Sequence, residues 1–354
     1  MKNIYNYLVA IFLIGAIVIP VHNADAGNKD RAGQAGAGEL LINPWAGSSG
    51  WGGVNVANTR GLESIYNNVA GIAFTNTTEL IFANTNWMSG ADINVMSFGL
   101  SQRVGDAGVI GFSIMSMNFG EIQIRTVDQP EGGIGTFSPR YMNINLAYAK
   151  AFSNAIYGGI NFKIVTESIA DAKAQGLGID AGIQYVAGDL ENIKFGISLR
   201  NVGPTMKYSG DGYSLSTVIP GQNDEFTTTQ RGMAFDLPTQ LNIGFAYDFL
   251  FDKSRFTLAG NFASNSFTKD QIMVGGEYSF RNILVLRAGY NYEEGILNDI
   301  SDPERTNANR GISAGFSVQI PMNKEKGSIF GIDYAYRPTD NFATTHSIGI
   351  KITL

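Results

Sequence analysis

From about residue 78 to the C-terminus, apolar and polar residues alternate with a period of two, the pattern of strands with two unlike faces. In the last segment Ile348, Ile350, Ile352 and Leu354 alternate with Ser347, Gly349, Lys351 and Thr353. Leu241, Ile243, Phe245, Tyr247 and Phe249 alternate with Gln240, Asn242, Gly244, Ala246 and Asp248. The pattern predicts about 14 strands, at 78–87, 92–103, 108–119, 140–150, 155–166, 175–186, 193–201, 237–249, 254–264, 271–281, 283–293, 310–321, 327–337 and 343–354. Most have about ten residues, the length a tilted strand needs to cross a bilayer. Two of them, 92–103 and 108–119, alternate poorly, which leaves their faces unassigned.

The connections sort by length. Even-to-odd links are short, at Gly105–Ala107, Ser153-Asn154, Gly188–Asn192, Asp252-Lys253, Asn282 and Asn323–Lys326, whereas 120–139, 202–236 and 294–309 are long odd-to-even links. Short turns at one rim and long loops at the other predict an all-β, transmembrane outer-membrane β-barrel of antiparallel strands. The short turns then lie in the periplasm and the long loops outside the cell, and an even strand count places both termini in the periplasm. Tyr247, Phe249, Tyr278, Phe280, Tyr290, Tyr292, Tyr334 and Tyr336 cluster near strand ends, where aromatic girdles form. A soluble β-sandwich would have no reason to sort its long loops to one end. Lipid surrounds such a sheet, so it must close on itself to pair every backbone group.

Ahead of the strands, Lys2, an apolar run from Tyr7 to Val21 and Ala24-Asp25-Ala26 form a secretory signal, residues 1–26, with the mature chain expected from Gly27. Residues 27–77 read as a plug, because a barrel this wide cannot be filled by its own side chains. Within that segment Leu62, Ile65, Tyr66 and Val69 share a helical face, with Thr59 as N-cap and Gly71 as the stop. Residues 78–354 are the barrel.

Composition narrows the chemistry. The 354 residues include no cysteine and only two histidines, His22 and His346, which excludes disulfides, thiolate metal sites and a lipobox anchor. No nucleophile–base pair can be assembled, so no catalytic, cofactor or metal site is expected and the protein reads as no enzyme. A net charge of −6 gives no reason to expect nucleic acid as partner. Polar faces carry Lys163, Asp180, Lys194, Arg200, Asp248, Arg255, Glu277, Arg281, Arg287, Asp333, Arg337 and Lys351. Pairing across the lumen is the preferred reading, over a path for a polar, anionic ligand. The 202–236 loop holds Tyr208, Tyr213, Ile219, Phe226, Met233 and Phe235, which suits an adaptable protein-binding surface. Glu294, Asp299, Asp302 and Glu304 read as a solvated acidic loop in preference to a weak calcium site.

The stretch Trp51-Gly52-Gly53-Val54-Asn55-Val56-Ala57, then Gly61, Tyr66 and Asn68-Val69-Ala70-Gly71-Ile72-Ala73, resembles the N-terminal signature of the PorV/PorQ family, which shares the barrel-plus-hatch plan of FadL-type proteins. Asp333-Tyr334-Ala335-Tyr336 and Thr345-His346-Ser347-Ile348 resemble that family's closing hairpin. Val69 stands where the family has proline, and Leu354 ends the chain where barrels often end in an aromatic residue. The resemblance implies a role in type IX protein secretion: binding and shuttling secreted cargo, or supporting the surface attachment complex, with secreted proteins, other secretion subunits and outer-membrane lipid as partners. Its Trp51, Gly52, Gly53, Asn68, Ala70 and Gly71 would form the plug motif. A FadL-like passive transporter of hydrophobic small molecules is the alternative function.

Overall fold

The computed structural model describes residues 31, 33–218, 225–323, 327–340 and 342–354; the signal segment lies outside them. Fourteen antiparallel strands form the wall: β1 Thr78–Trp87, β2 Ile93–Arg103, β3 Val109–Asn118, β4 Arg140–Ala151, β5 Ile156–Ile169, β6 Ala172–Ala187 and β7 Ile193–Val202 in the first half. The second half is β8 Gln240–Leu250, β9 Ser254–Asn265, β10 Gln271–Phe280, β11 Leu284–Glu293, β12 Ile312–Asn323, β13 Ser328–Arg337 and β14 Thr345–Thr353. Each strand pairs with its sequence neighbours, and β1 closes the cylinder on β14 from Glu79–Thr353 to Asn86–His346. Closure removes the free edges that lipid would leave unpaired.

Outward positions carry Phe98, Phe112, Leu146, Phe162, Ile183, Ile197, Ile243 and Ile350, all exposed on the wall as a lipid-facing surface requires. The weak alternation of β2 and β3 has a packing cause. Their inward Val95, Val109, Met115 and Met117 are buried against the plug, so both faces of these strands are apolar. Tyr278 and Phe280 sit outward near the short-turn rim, and Tyr292 and Tyr336 outward near the long-loop rim.

At the long-loop rim β5 and β6 extend past their neighbours and are joined through Ala170 and Asp171 alone. The upper end of β6 exchanges its partner. Register with β7 shifts between Ile179 and Ala181, and above it Met206–Ser209 pairs with Lys173 and Ala174. In the same loop Ser214–Val218 pairs with Glu225–Thr229 in a separate hairpin.

Residues 33–77 lie inside the barrel. They form short turns at Gly38–Leu41 and Ala46–Ser49, and two more, Ser64–Asn67 and Val69–Phe74, replace the continuous helix expected from Leu62 to Gly71. Asn68 breaks it by adopting φ −156°, where its side chain accepts from Ala70 N at 3.2 Å. Thr59 is no cap: its hydroxyl bonds Ser64 Oγ at 3.2 Å. Gly71 is no stop either, since a Cβ there would lie 2.3 Å from the Thr59 carbonyl oxygen. The glycine serves close packing.

Within the described residues the plug runs from the long-loop rim to the short-turn rim. Arg31 pairs with Asp236 at 3.0 Å and Ala35 bridges the backbone of Asp236, immediately ahead of β8 at the long-loop rim. From there the plug descends through the lumen to Ala73, whose carbonyl accepts from Arg103 at the foot of β2. The C-terminal Leu354 pairs with Thr78 at the short-turn rim. An even strand count constrains only the two ends of the sheet; the chain ahead of β1 is free to cross the lumen.

Candidate functional site

The plug seats on the wall through small inward residues. A Cβ on Gly289 would lie 2.0 Å from the Trp51 carbonyl oxygen, and one on Gly196 would lie 2.5 Å from that of Val56. Gly182 faces Asn68 in the same way, at 2.1 Å from its Oδ1. Ala83, Ala147, Ala149, Ala246, Ala259 and Ala335 are further buried small positions on the wall. Trp51, Ala70, Gly71 and Asn68 of the plug motif are all buried, and Gly52 and Gly53 take φ of +69° and +87°, a left-handed turn that glycine adopts without strain.

Below and beside the plug the lumen charges pair. Lys163 meets Asp180 at 2.8 Å, Lys194 meets Asp248 at 2.5 Å, and Lys351 meets Glu79 at 2.7 Å. Glu277 holds Arg255 at 2.7 Å and Arg287 at 2.8 Å, while Asp333 accepts from Ser317. Arg281 is a correction: it lies in the turn after β10, exposed, over the Phe280 ring. A small polar cavity of about 150 Å³ opens here, lined by Arg60, Glu63, Lys194, Arg255, Glu277, Arg287 and Lys351 among others. Burial, and secondarily the nearby Asp333 carboxylate, pushes the Glu63 carboxyl up to about 7.

Above the plug lies a larger cavity of about 330 Å³. Its lining is rich in amides, including Asn43, Asn67, Gln240, Asn242, Asn265, Gln271 and Asn291, and it contains Arg200, Arg337, Tyr66 and Trp87. The amides form a ladder along the inner wall: Arg200 donates to Gln240, Gln240 to Asn265, Asn242 to Gln240 and Asn261 to Asn242, at 2.9–3.1 Å. Sequence reasoning named Arg200 and Arg337 but missed the amides; their recurrence at inward positions of β7 to β11 was the available signal.

The long-loop residues divide. Tyr208 packs inward against Phe235, ring centres 5.7 Å apart, and donates to Glu167 at 2.5 Å; burial and that bond push its phenol up. Tyr213 is half-buried, while Phe226 and Met233 are exposed; Ile219 lies outside the described residues. In the acidic loop Asp299 accepts from Ser301, and Asp302 from Glu304 N and Asn298, so these carboxylates cap their own turns.

A family model described as type IX secretion system membrane protein PorP/SprF matches residues 131–352, more than half of the chain. The match covers the barrel from β4 onward and does not include the Trp51–Ala73 patch that carried the PorV/PorQ resemblance. No curated protein matches the chain. Among solved structures, the toluene transporter TodX of Pseudomonas putida is similar at TM-score 0.52 and 12% identity, over 88% of this chain and 97% of that one. A structure described as the CymD monoaromatic hydrocarbon channel gives the same values: TM-score 0.52, 12% identity, 88% and 97%. At such identity the likeness shows the fold alone, an outer-membrane β-barrel. The family is one of secretion-system membrane proteins, and the fold is that of an outer-membrane β-barrel.

Proposed function

The chain belongs to the PorP/SprF family of type IX secretion system membrane proteins, and on that premise we propose that it is a non-enzymatic docking component of that system. In this reading the long-loop rim faces outward from the cell and receives secreted cargo, or a subunit of the surface attachment complex, while the wall stays in lipid. The observation that carries it is the hairpin Ser214–Val218 with Glu225–Thr229, exposed along nearly its whole length and displaying Leu215, Val218 and Phe226. Its outer edges offer backbone donors and acceptors for strand addition by a partner.

The cavity mixes Asn, Gln and Arg side chains with Leu41, Ile42, Val56, Met273, Ile296 and Ile312, so its wall is not a continuous apolar path for hydrophobic molecules. The plug, seated against glycines without room for a methyl group, would also have to leave its seat.

The test is a gentle-detergent pull-down of the tagged protein from its native outer membrane, with co-purifying chains identified by mass spectrometry. Recovery of exported proteins sharing a C-terminal domain, or of secretion subunits, is expected, and deleting 214–229 should reduce it. Recovery of the barrel alone would overturn the docking role; uptake of hydrophobic compounds into liposomes would then establish transport.

A further inference from the structure

Two arginines face the cavity above the plug without a carboxylate partner among the described residues. Arg200 is 5% exposed; Nη1 donates to Gln240 at 2.9 Å, Nη2 to the Leu40 carbonyl at 3.2 Å, and Nε has no partner. Its guanidinium carbon lies 3.9 Å from the centre of the Tyr66 ring. Arg337 stacks over Trp87 at 4.9 Å, and its buried Nη2 has no partner. The one carboxylate among the described lining residues, Glu293, is occupied by Gln271 at 2.8 Å and Thr306 at 2.7 Å.

Most basic groups on the lumen wall follow a different rule. Lys163, Lys194, Arg255, Arg287 and Lys351 each have a carboxylate within 2.8 Å. A buried guanidinium without a counter-charge is costly, so leaving two beside one cavity, where five others are neutralised, calls for an anion from outside. Asn43 Nδ2 and Asn291 Oδ1 line the same space and are also buried without a partner, which adds a donor and an acceptor for a neutral polar body. The guanidinium fork matches a carboxylate geometrically, and the Tyr66 and Trp87 rings hold the two forks from behind. The cavity's volume of about 330 Å³ lies at the lower end of the range for small-ligand sites. Its upper lining comes from Thr306, Asn307 and Asn309 of the loop between β11 and β12, so a ligand enters from the long-loop rim.

We propose that this cavity is a carboxylate-binding site, in which Arg200 and Arg337 take the carboxylate of a polar ligand and Asn43 and Asn291 bond its amide- or hydroxyl-bearing body. The carboxylate comes either from the C-terminus of an extended peptide or from a free sugar acid. The site stands on its own geometry, whether or not the long-loop rim docks secreted cargo.

The experiment is titration calorimetry on the full-length protein in detergent with three probes: an N-acetylated Gly-Ser-Gly-Ser peptide as the free acid, the same peptide as its C-terminal amide, and galacturonate. At least one of the two acids should bind, and the peptide amide should bind about tenfold or more weakly than the peptide acid wherever the peptide is the ligand. Binding of the peptide acid but not galacturonate assigns the site to a chain terminus; stronger binding of galacturonate assigns it to a sugar acid. R337Q leaves the plug contacts of Arg200 in place and should lose about tenfold or more, with R200Q losing further if it folds, as read from the heat-dependent gel mobility of closed barrels. Failure of both acids to bind, equal binding of peptide acid and amide, or unchanged affinity in folded R337Q would overturn the proposal.

Discussion

Asn68 of the plug places its Nδ2 3.0 Å from the carbonyl oxygen of Ile183 on β6, across the lumen side of the wall. The same amide donates to the Val56 carbonyl at 3.0 Å, so one side chain ties two plug turns to the sheet. That bond is possible because Gly182, the residue before Ile183, has no Cβ in the way. Replacing Asn68 by alanine removes these donors from a buried position and should cost about 1–3 kcal/mol. Thermal unfolding in detergent, followed by heat-dependent gel mobility, checks the value, and limited proteolysis should cut the plug of N68A earlier than that of the wild type.

Gly289 and Gly260 form a matched pair on the wall. A Cβ on Gly289 meets the Trp51 carbonyl oxygen at 2.0 Å, whereas one on Gly260 meets only the Met273 carbonyl oxygen, at 3.8 Å. Gly289→Ala must displace the plug backbone and should destabilise by about 1–3 kcal/mol. Gly260→Ala should be neutral or stabilising by up to about 1 kcal/mol, because alanine loses less chain entropy in a strand. Equal effects in parallel melts would refute the close seating of the plug.

Lys194 and Asp248 are both buried, on adjacent strands, and Thr257 also donates to Asp248 at 2.7 Å. Lys194→Met strands a buried carboxylate and should cost about 3–5 kcal/mol. Adding Asp248→Leu should recover most of that loss, since removing both charges removes the desolvation cost as well. A double-mutant cycle by denaturant unfolding measures the coupling; simple additivity would contradict it.

Glu63 gives the protein a pH-dependent term of known sign. Its folded-state carboxyl titrates at about 7, raised from 4.5 chiefly by burial. Between these values the folded state holds the proton and the unfolded state does not. Stability from this group therefore falls as pH rises from about 4.5 to about 7 and is flat outside that window. Glu63→Gln removes the term: the variant should match the wild type near pH 4 and exceed it at pH 8. Melting curves of both proteins across that range decide it, and parallel curves would show that Glu63 does not titrate there.

The wall was legible along the chain because lipid and lumen impose opposite polarity on successive residues, a constraint that repeats every two positions. Alternation such as Leu241 against Asn242 and Ile350 against Lys351 placed the strands within a few residues of their observed ends, and loop lengths sorted the rims. Where the wall meets the plug the two solvents become one. Val95, Val109, Met115 and Met117 face an apolar partner, and the signal in β2 and β3 fades for that reason. The plug itself carries no periodicity: its turns are set by single bonds such as Asn68 to Ile183 and by glycines on distant strands. Composition placed charges on the polar faces, but strand register decided which of them pair, joining Lys163 to Asp180 and Lys194 to Asp248 while leaving Arg200 and Arg337 without an acid among the described residues. Alternation is a local property and can be read in one chain segment; the rise of the plug to the long-loop rim and the unpaired arginines above it depend on residues far apart in sequence, brought together only when the barrel closes.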